Sequence, residues 1–362
     1  MQINSNATVN VLSCSLRELK RDALSGAFAF SHRFGADRLI GLRYRGKGSI
    51  LMFHSVVGDI DRQLGQSIHV QDDVLRDMVR HLQTTGSDIV TLEEGMQRFT
   101  DPGSRHFVEL TFDDGYRNNL THALPVLEAL GAPFTVYVNS YMLSGECDVW
   151  WLGLRDLLLA QDRVEIDPMG LKFLTTSERE KCQALLMITD WVHQDVENNA
   201  IALKRIMTRY GINIASIVRK EALDLEELKR LSRHELVTIG GHAETHLALN
   251  SLDEADAFGE LVRNKQMLEC AIQREVKHFA YPFGERNTAR AREVKIAESA
   301  GFGTAVKTRT GNLFREHAVS PFLLPRLTVL NHDRNAQLLA KLAAVEKLLR
   351  QPFDPPIGIL ND

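Results

Sequence analysis

From Ser49 onward, short apolar runs alternate with longer amphipathic segments. That alternation restricts the chain to a parallel sheet covered by helices. Residues 49–53, 88–92, 107–112 and 134–138 read as strands, being short, apolar and rich in β-branched or aromatic side chains. Residues 236–239, 278–281, 303–306 and 326–330 repeat the pattern further on. Helices are expected over 72–83, 118–130, 252–272, 289–300 and 335–349, with Gly131-Ala132-Pro133 and Gly301 as stops. Such βα units build an open sheet or a closed barrel, and functional residues then gather at the C-terminal strand ends.

Three segments stand outside the alternation. Residues 1–48 form an extension whose stretch 15–48 carries eight Lys or Arg against three acids. Its Leu16, Leu19, Ala23, Ala27, Phe30 and Phe34 recur at helical spacing, so a basic helical extension is expected. It would pack on the main domain or rest on anionic lipid. Residues 144–233 lose the strand signal and read as a mostly helical insertion covering the site, without Pro/Gly/Ser linkers that would mark an independent domain. The main domain then spans 49–349, and 350–362, with Pro352, Pro355 and Pro356, reads as a surface tail.

Formal net charge is -4, which offers no electrostatic argument for nucleic acid. The four cysteines make no C-x-x-C pair, which excludes a zinc ribbon or a dithiol redox motif. No run approaches the ~18 apolar residues of a membrane span. The first residues are polar and lack a secretory pattern, so the expectation is a cytoplasmic protein with reduced thiols, in peripheral contact with a membrane at most.

The chemistry concentrates in four places. Asp113 and Asp114 follow the run Phe107–Phe112, and two adjacent carboxylates at a buried strand end call for a compensating cation. One can ligate a metal while the other accepts a proton. Asp-Asp-Gly is also an ordinary turn signal. His242 and His246 follow Gly240-Gly241, and i, i+4 spacing would put both imidazoles on one face of a helical turn. With one Asp they would leave an open coordination position, as catalytic zinc does. Tyr281-Pro282-Phe283-Gly284 ends another strand and could aim backbone N–H groups at an oxyanion. His54 ends the first strand, where it could be a ligand or a general acid.

Together these segments resemble the polysaccharide deacetylases of carbohydrate esterase family 4, the NodB-homology domain. The resemblance covers roughly residues 49–331. It implies a distorted (β/α)7-type barrel and removal of acyl groups from sugars. By that similarity Asp113 is the general base, and Asp114, His242 and His246 hold one divalent ion. That ion would be Zn2+, with Co2+ or Ni2+ able to substitute. The Phe283 N–H would help form the oxyanion hole, with Tyr281 beside it. The chain departs from the family pattern at three points. Ala243 stands where a Ser or Thr usually follows the first His, which removes a loop hydrogen bond but no ligand. Ala280 stands where an Arg usually pairs with the catalytic Asp, and Arg326 is the candidate replacement. No Leu-x-His supplies the acid near the C-terminus, His332 in Leu330-Asn331-His332 coming closest. The poly-N-acetylglucosamine deacetylase subgroup carries its acid His on the first strand, and Phe53-His54 resembles that arrangement.

The resulting expectation is a metal-dependent N-deacetylase of an amino-sugar glycan, or its precursor, in surface polysaccharide biosynthesis. N-deformylation of a lipid-linked amino sugar is the near alternative, and a non-catalytic glycan-binding relative the alternative of another class. Trp150 and Trp151 would stack on sugar rings or pack the insertion.

Overall fold

The computed structural model describes residues 26, 34–58, 64, 66, 68–99, 101, 103–284 and 288–350. Most of the expected N-terminal helix, including Leu16, Leu19, Ala23, Ala27 and Phe30, and the tail from 351 lie outside those residues. Twelve strands are described. They are β1 (Gly48–Phe53), β2 (Ser55–Val57), β3 (His69–Gln71), β4 (Asp88–Ile89), β5 (Phe107–Phe112), β6 (Phe134–Val138), β7 (Arg163–Ile166), β8 (Leu171–Leu174), β9 (Val237–Gly241), β10 (His278–Ala280), β11 (Thr304–Thr310) and β12 (Leu324–Thr328).

Seven of them close a parallel barrel in the order β1-β12-β11-β10-β9-β6-β5, with β5 pairing back to β1 from Gly48↔Phe107 to Phe53↔Phe112. This is the (β/α)7 fold expected from the resemblance. Every residue of β1, β5 and β6 is buried because helices cover one face and the opposite strands the other. The two-residue strand period sorts the side chains. Ile50, Phe107, Tyr137, Val306 and Leu324 fill the interior. Leu51, Phe53, Val108, Leu110, Phe112 and Phe279 meet the helical layer. The helix Asp72–Thr84, for one, buries Val74, Leu75, Met78, Val79 and Leu82 there. Each fully buried side chain of this kind contributes about 1.5–3 kcal/mol.

Local chemistry adjusts several expected boundaries. The run 88–92 keeps only two residues as strand, because Thr91 Oγ1 accepts the Glu94 N–H at 3.2 Å and caps a helix over Leu92–Arg98. The helix expected over 118–130 opens as a wide π-turn, Asn119–Ala123, before the α-helix Leu124–Glu128, whose Pro125 has no N–H to donate. The helix expected over 335–349 breaks into Asn335–Leu342 and Val345–Arg350 at Ala344, where φ is 63°. Asn312 Nδ2 donates to the Leu342 carbonyl at 2.7 Å, satisfying that helix end.

Residues 148–220 belong to a second compact unit with its own core, built from Trp150, Leu154, Leu157, Ile188, Val192 and Met207 among others. Beside its helices this segment holds the antiparallel hairpin β7–β8, turned at Gly170, where φ is 63°. Among the described residues no helix is long and apolar enough to cross a membrane.

Candidate metal centre and its carboxylate pair

The site lies at the C-terminal ends of β1, β5 and β9, with Arg326 reaching it from the middle of β12. Asp113 continues the inward alternation of β5, and its N–H donates to the Phe53 carbonyl at 3.0 Å. Asp114 and Gly115 then both take left-handed backbone, with φ of 75° and 79°. Asp tolerates that region better than most residues, and the double reversal swings the second carboxylate away from the first. One strand end thus supplies two acids to different partners.

Asp114 meets the histidines. Its Oδ1 lies 3.3 Å from His242 Nε2 and 3.2 Å from His246 Nε2. The three candidate ligand atoms all fall within 4.8 Å of one another. The two imidazoles do not share a helical turn, contrary to the reading of their spacing. Residues 242–248 form a loop in which Ala243 and His246 take φ of 59° and 64°. Those left-handed residues break the 3.6-residue repeat, and the folded loop itself brings the rings to 5.0 Å. His242 Nδ1 donates to the Ala280 carbonyl at 2.7 Å, which leaves Nε2 to face the cluster.

The donor set fits a zinc-like ion. It is two imidazole nitrogens and one carboxylate oxygen, with a backbone carbonyl fixing one ring. Electrostatics agree with a cation at this point. Burial alone would raise the Asp114 carboxyl, but hydrogen bonds from His242 and His246 hold it well below the usual range. Burial likewise opposes a charged His242, yet Asp114 raises its pKa.

Asp113 meets Arg326. The guanidinium is fully buried and pairs bidentately, Nη1 to Oδ1 at 2.7 Å and Nη2 to Oδ2 at 2.6 Å. Its Nε donates to the Lys307 carbonyl at 3.0 Å, and it lies over the Tyr137 ring at 5.7 Å. Burial would raise the Asp113 carboxyl, but the charge and hydrogen bonds of Arg326 keep it lowered. Ala280, inward-facing on β10, offers no guanidinium, and the arginine beside Asp113 comes from β12, two strands further along the ring. Deeper in the barrel, the Glu109 carboxyl and the Tyr137 hydroxyl have no hydrogen-bond partner among the described residues. Burial, with the nearby Glu93 charge, pushes Glu109 well above the usual carboxylate range.

His54 stands at the end of β1. Burial lowers its pKa, while Asp114 and Asp113 favour its charged form. Phe283 is exposed with φ of 53°, and its ring lies 5.1 Å from that of His246. Tyr281 departs from its expected place beside the reacting group. It points outward from the barrel, 1% exposed, packed 5.1 Å from Phe279, with its hydroxyl donating to the Glu293 carbonyl at 3.5 Å. Strand alternation puts residues 279 and 281 on the helical side and 280 on the inside. Trp150 is 6% exposed in the core of the helical unit, edge-on to Trp151 and His193 at 5.8 Å each, so its ring faces have no room for a sugar. Trp151 is partly buried beside it. His332 is exposed.

Sequence reasoning passed over Asn139, Glu260 and Asn264, all buried around the histidine loop. The available signal was two polar residues, 260 and 264, four apart on the face of a helix that also buries Ala257, Leu261 and Leu268.

A family profile described as polysaccharide deacetylase matches residues 100–305. The Bacillus subtilis (strain 168) polysaccharide deacetylase-like protein YxkH is 23% identical over 161 residues. That match covers 42% of this chain and 55% of YxkH, so the chain aligns with about half of that relative. Among solved structures, the Streptococcus pyogenes deacetylase PplD, in complex with acetate, superposes with a TM-score of 0.54 at 16% identity. That superposition covers 81% of this chain and 97% of PplD. IcaB from Ammonifex degensii gives 0.53 at 16% identity, covering 83% and 98%. Both likenesses are of fold.

Proposed function

Since the chain belongs to the polysaccharide deacetylase family, we propose that it is a metal-dependent hydrolase that removes N-acetyl groups from an amino-sugar glycan or glycan precursor. The observation carrying this reading is the separation of the two carboxylates, Asp114 to the histidines and Asp113 to Arg326. One acid serves as a ligand and the other, ionised and held in place, as a base.

Asp114, His242 and His246 would hold the ion, zinc above all, with cobalt or nickel able to substitute. When bound, it supplies Lewis-acid polarisation of the acyl carbonyl and acidifies the attacking water. Asp113 accepts the water's proton. Arg326 keeps that carboxylate ionised and aligned through two parallel hydrogen bonds. The Phe283 N–H donates to the developing oxyanion. His54 delivers a proton to the departing amine; burial lowers its pKa, and the two carboxylates offset part of that lowering. An amide needs such an acid because an unprotonated amine is a poor leaving group.

The proposed setting is the cytoplasmic side of surface polysaccharide synthesis, with a glycan precursor as substrate. The helix Ala36–Tyr44 exposes Leu39 and Leu42 within the basic stretch 15–48, which supports a peripheral contact with an anionic membrane face. The test is acyl release from N-acetylated glucosamine oligomers by wild type and Asp113→Asn. Acetate release that falls about 10²–10⁴-fold in the variant is expected. Formate release from an N-formylated sugar, without acetate, would move the assignment to deformylation. Binding without turnover of either would make the chain a glycan-binding relative.

A further inference from the structure

We infer that one turn of the helix Glu254–Ile272 is the device that sets the metal affinity of the histidine loop, with Glu260 and Asn264 as its positioning residues. This rests on the metal-dependent reading above. The loop has two reasons to wander. It lies outside regular structure, and two of its non-glycine residues, Ala243 and His246, hold left-handed backbone that must be imposed from outside. The side chain at 243 is a methyl group and cannot hydrogen-bond the loop to itself.

The helix supplies what position 243 lacks. Glu260 is 4% exposed, and its Oε2 accepts the N–H groups of Glu244 and Thr245 at 3.1 and 2.8 Å. Its Oε1 accepts the Thr245 hydroxyl at 2.9 Å. One carboxylate therefore grips the two peptide units between the ligands. Four residues on, the fully buried Asn264 accepts the His242 N–H at 3.0 Å. Its amide nitrogen donates to the Val138 carbonyl at 3.0 Å and the Ser140 hydroxyl at 2.8 Å. Asn264 thus ties the first ligand to the end of β6. The i, i+4 spacing makes the two grips a single rigid unit. Gly241 leaves the opening, since a Cβ there would lie 2.7 Å from Asn264 Oδ1. Arg263 adds an outer contact, its Nε 2.6 Å from Glu244 Oε2. Groups that orient ligands in this way govern affinity because a loose ligand loses entropy on each binding event.

The test is competition for zinc between the full chain and a chromophoric chelator, run on wild type, Glu260→Gln, Asn264→Ala and Thr245→Val. Glu269→Gln, lower on the same helix, is the control. Folding of each metal-free protein is followed by circular dichroism. Zinc affinity is expected to fall about tenfold or more in Glu260→Gln and Asn264→Ala, and less in Thr245→Val, with the control unchanged. Lost turnover should return at raised zinc with KM unaltered while circular dichroism shows the metal-free variant already folded, which separates lost affinity from general destabilisation. Should the buried variants fail to fold, Thr245→Val and Glu244→Gln carry the measurement. Zinc affinity within twofold of wild type in the folded variants would overturn the inference and leave the metal-dependent reading intact. A wild type that binds no zinc would overturn both.

Discussion

At the scale of single residues, the site gives two chemically identical groups different partners. Asp113 and Asp114 are neighbours in the chain, yet one faces a fixed guanidinium and the other two imidazoles. Arg326→Met should show what the guanidinium contributes. Removing one member of a buried pair typically costs about 3–5 kcal/mol, because the remaining charge is left uncompensated. The carboxyl pKa of Asp113, now lowered, would rise. The acid limb of kcat/KM should therefore move to higher pH, with kcat falling about 10²-fold as the base loses alignment. The stability side has a defined sign. A depressed folded-state pKa gives stability that is present above the unfolded value, about 3.9, and lost as pH falls through the lowered one. Urea titrations of wild type between pH 3 and 7 should show that loss, and the variant should show less of it. An unmoved acid limb would remove Arg326 from the base's surroundings.

At the scale of elements, β9 illustrates how a strand prepares a loop. Gly240 and Gly241 end it, and neither is there for a turn. A Cβ on Gly240 would lie 2.4 Å from the Tyr137 ring and 3.0 Å from the His278 carbonyl. The absent side chain lets β6, β9 and β10 close tightly beneath His242. Gly240→Ala is expected to destabilise the protein by about 1–3 kcal/mol through this overpacking, read as a lower midpoint in urea with little change in slope. The strand content of β5 and β6 was legible because branched and aromatic runs of five or six residues announce buried strands, and β9 showed itself through the shorter run Val237-Thr238-Ile239. The short β4 was over-read, since Thr91 is a better helix cap than strand residue once Glu94 can donate to it.

At the scale of the whole molecule, the ligands come from β5 and from the loop after β9, and β6 lies between those strands in the ring. An ion joining Asp114 to His242 and His246 would cross-link elements distant in sequence, so it should stabilise the native state by linkage. Zinc at a hundred times its dissociation constant adds about 2.7 kcal/mol. Melting scans should therefore rise by several degrees with zinc and fall with a chelator in wild type, and stay flat in Asp114→Asn and His242→Ala. A zinc response that survives in both variants would place the ion elsewhere. The helical segment 148–220 carries its own core, and Trp150 is spent there, which explains why aromatic content alone misdirects a search for sugar-stacking residues.

The sequence by itself determined the alternating βα units and the grouping of the chemistry-bearing residues, and closure into a barrel entered only through the family resemblance. The units and the grouping depend on local information: apolar periodicity in the strands, and the uncommon grouping of carboxylates and histidines at their ends. Tertiary structure decided how those residues are shared out. It decided that the guanidinium beside Asp113 comes from β12, and that a left-handed loop, not a helical turn, converges His242 with His246. It also decided that Tyr281 faces the helices, and that Glu260 and Asn264 hold the loop. Barrel closure is the reason. It sets strands far apart in sequence side by side, and no local pattern records which side chain will meet which across the ring.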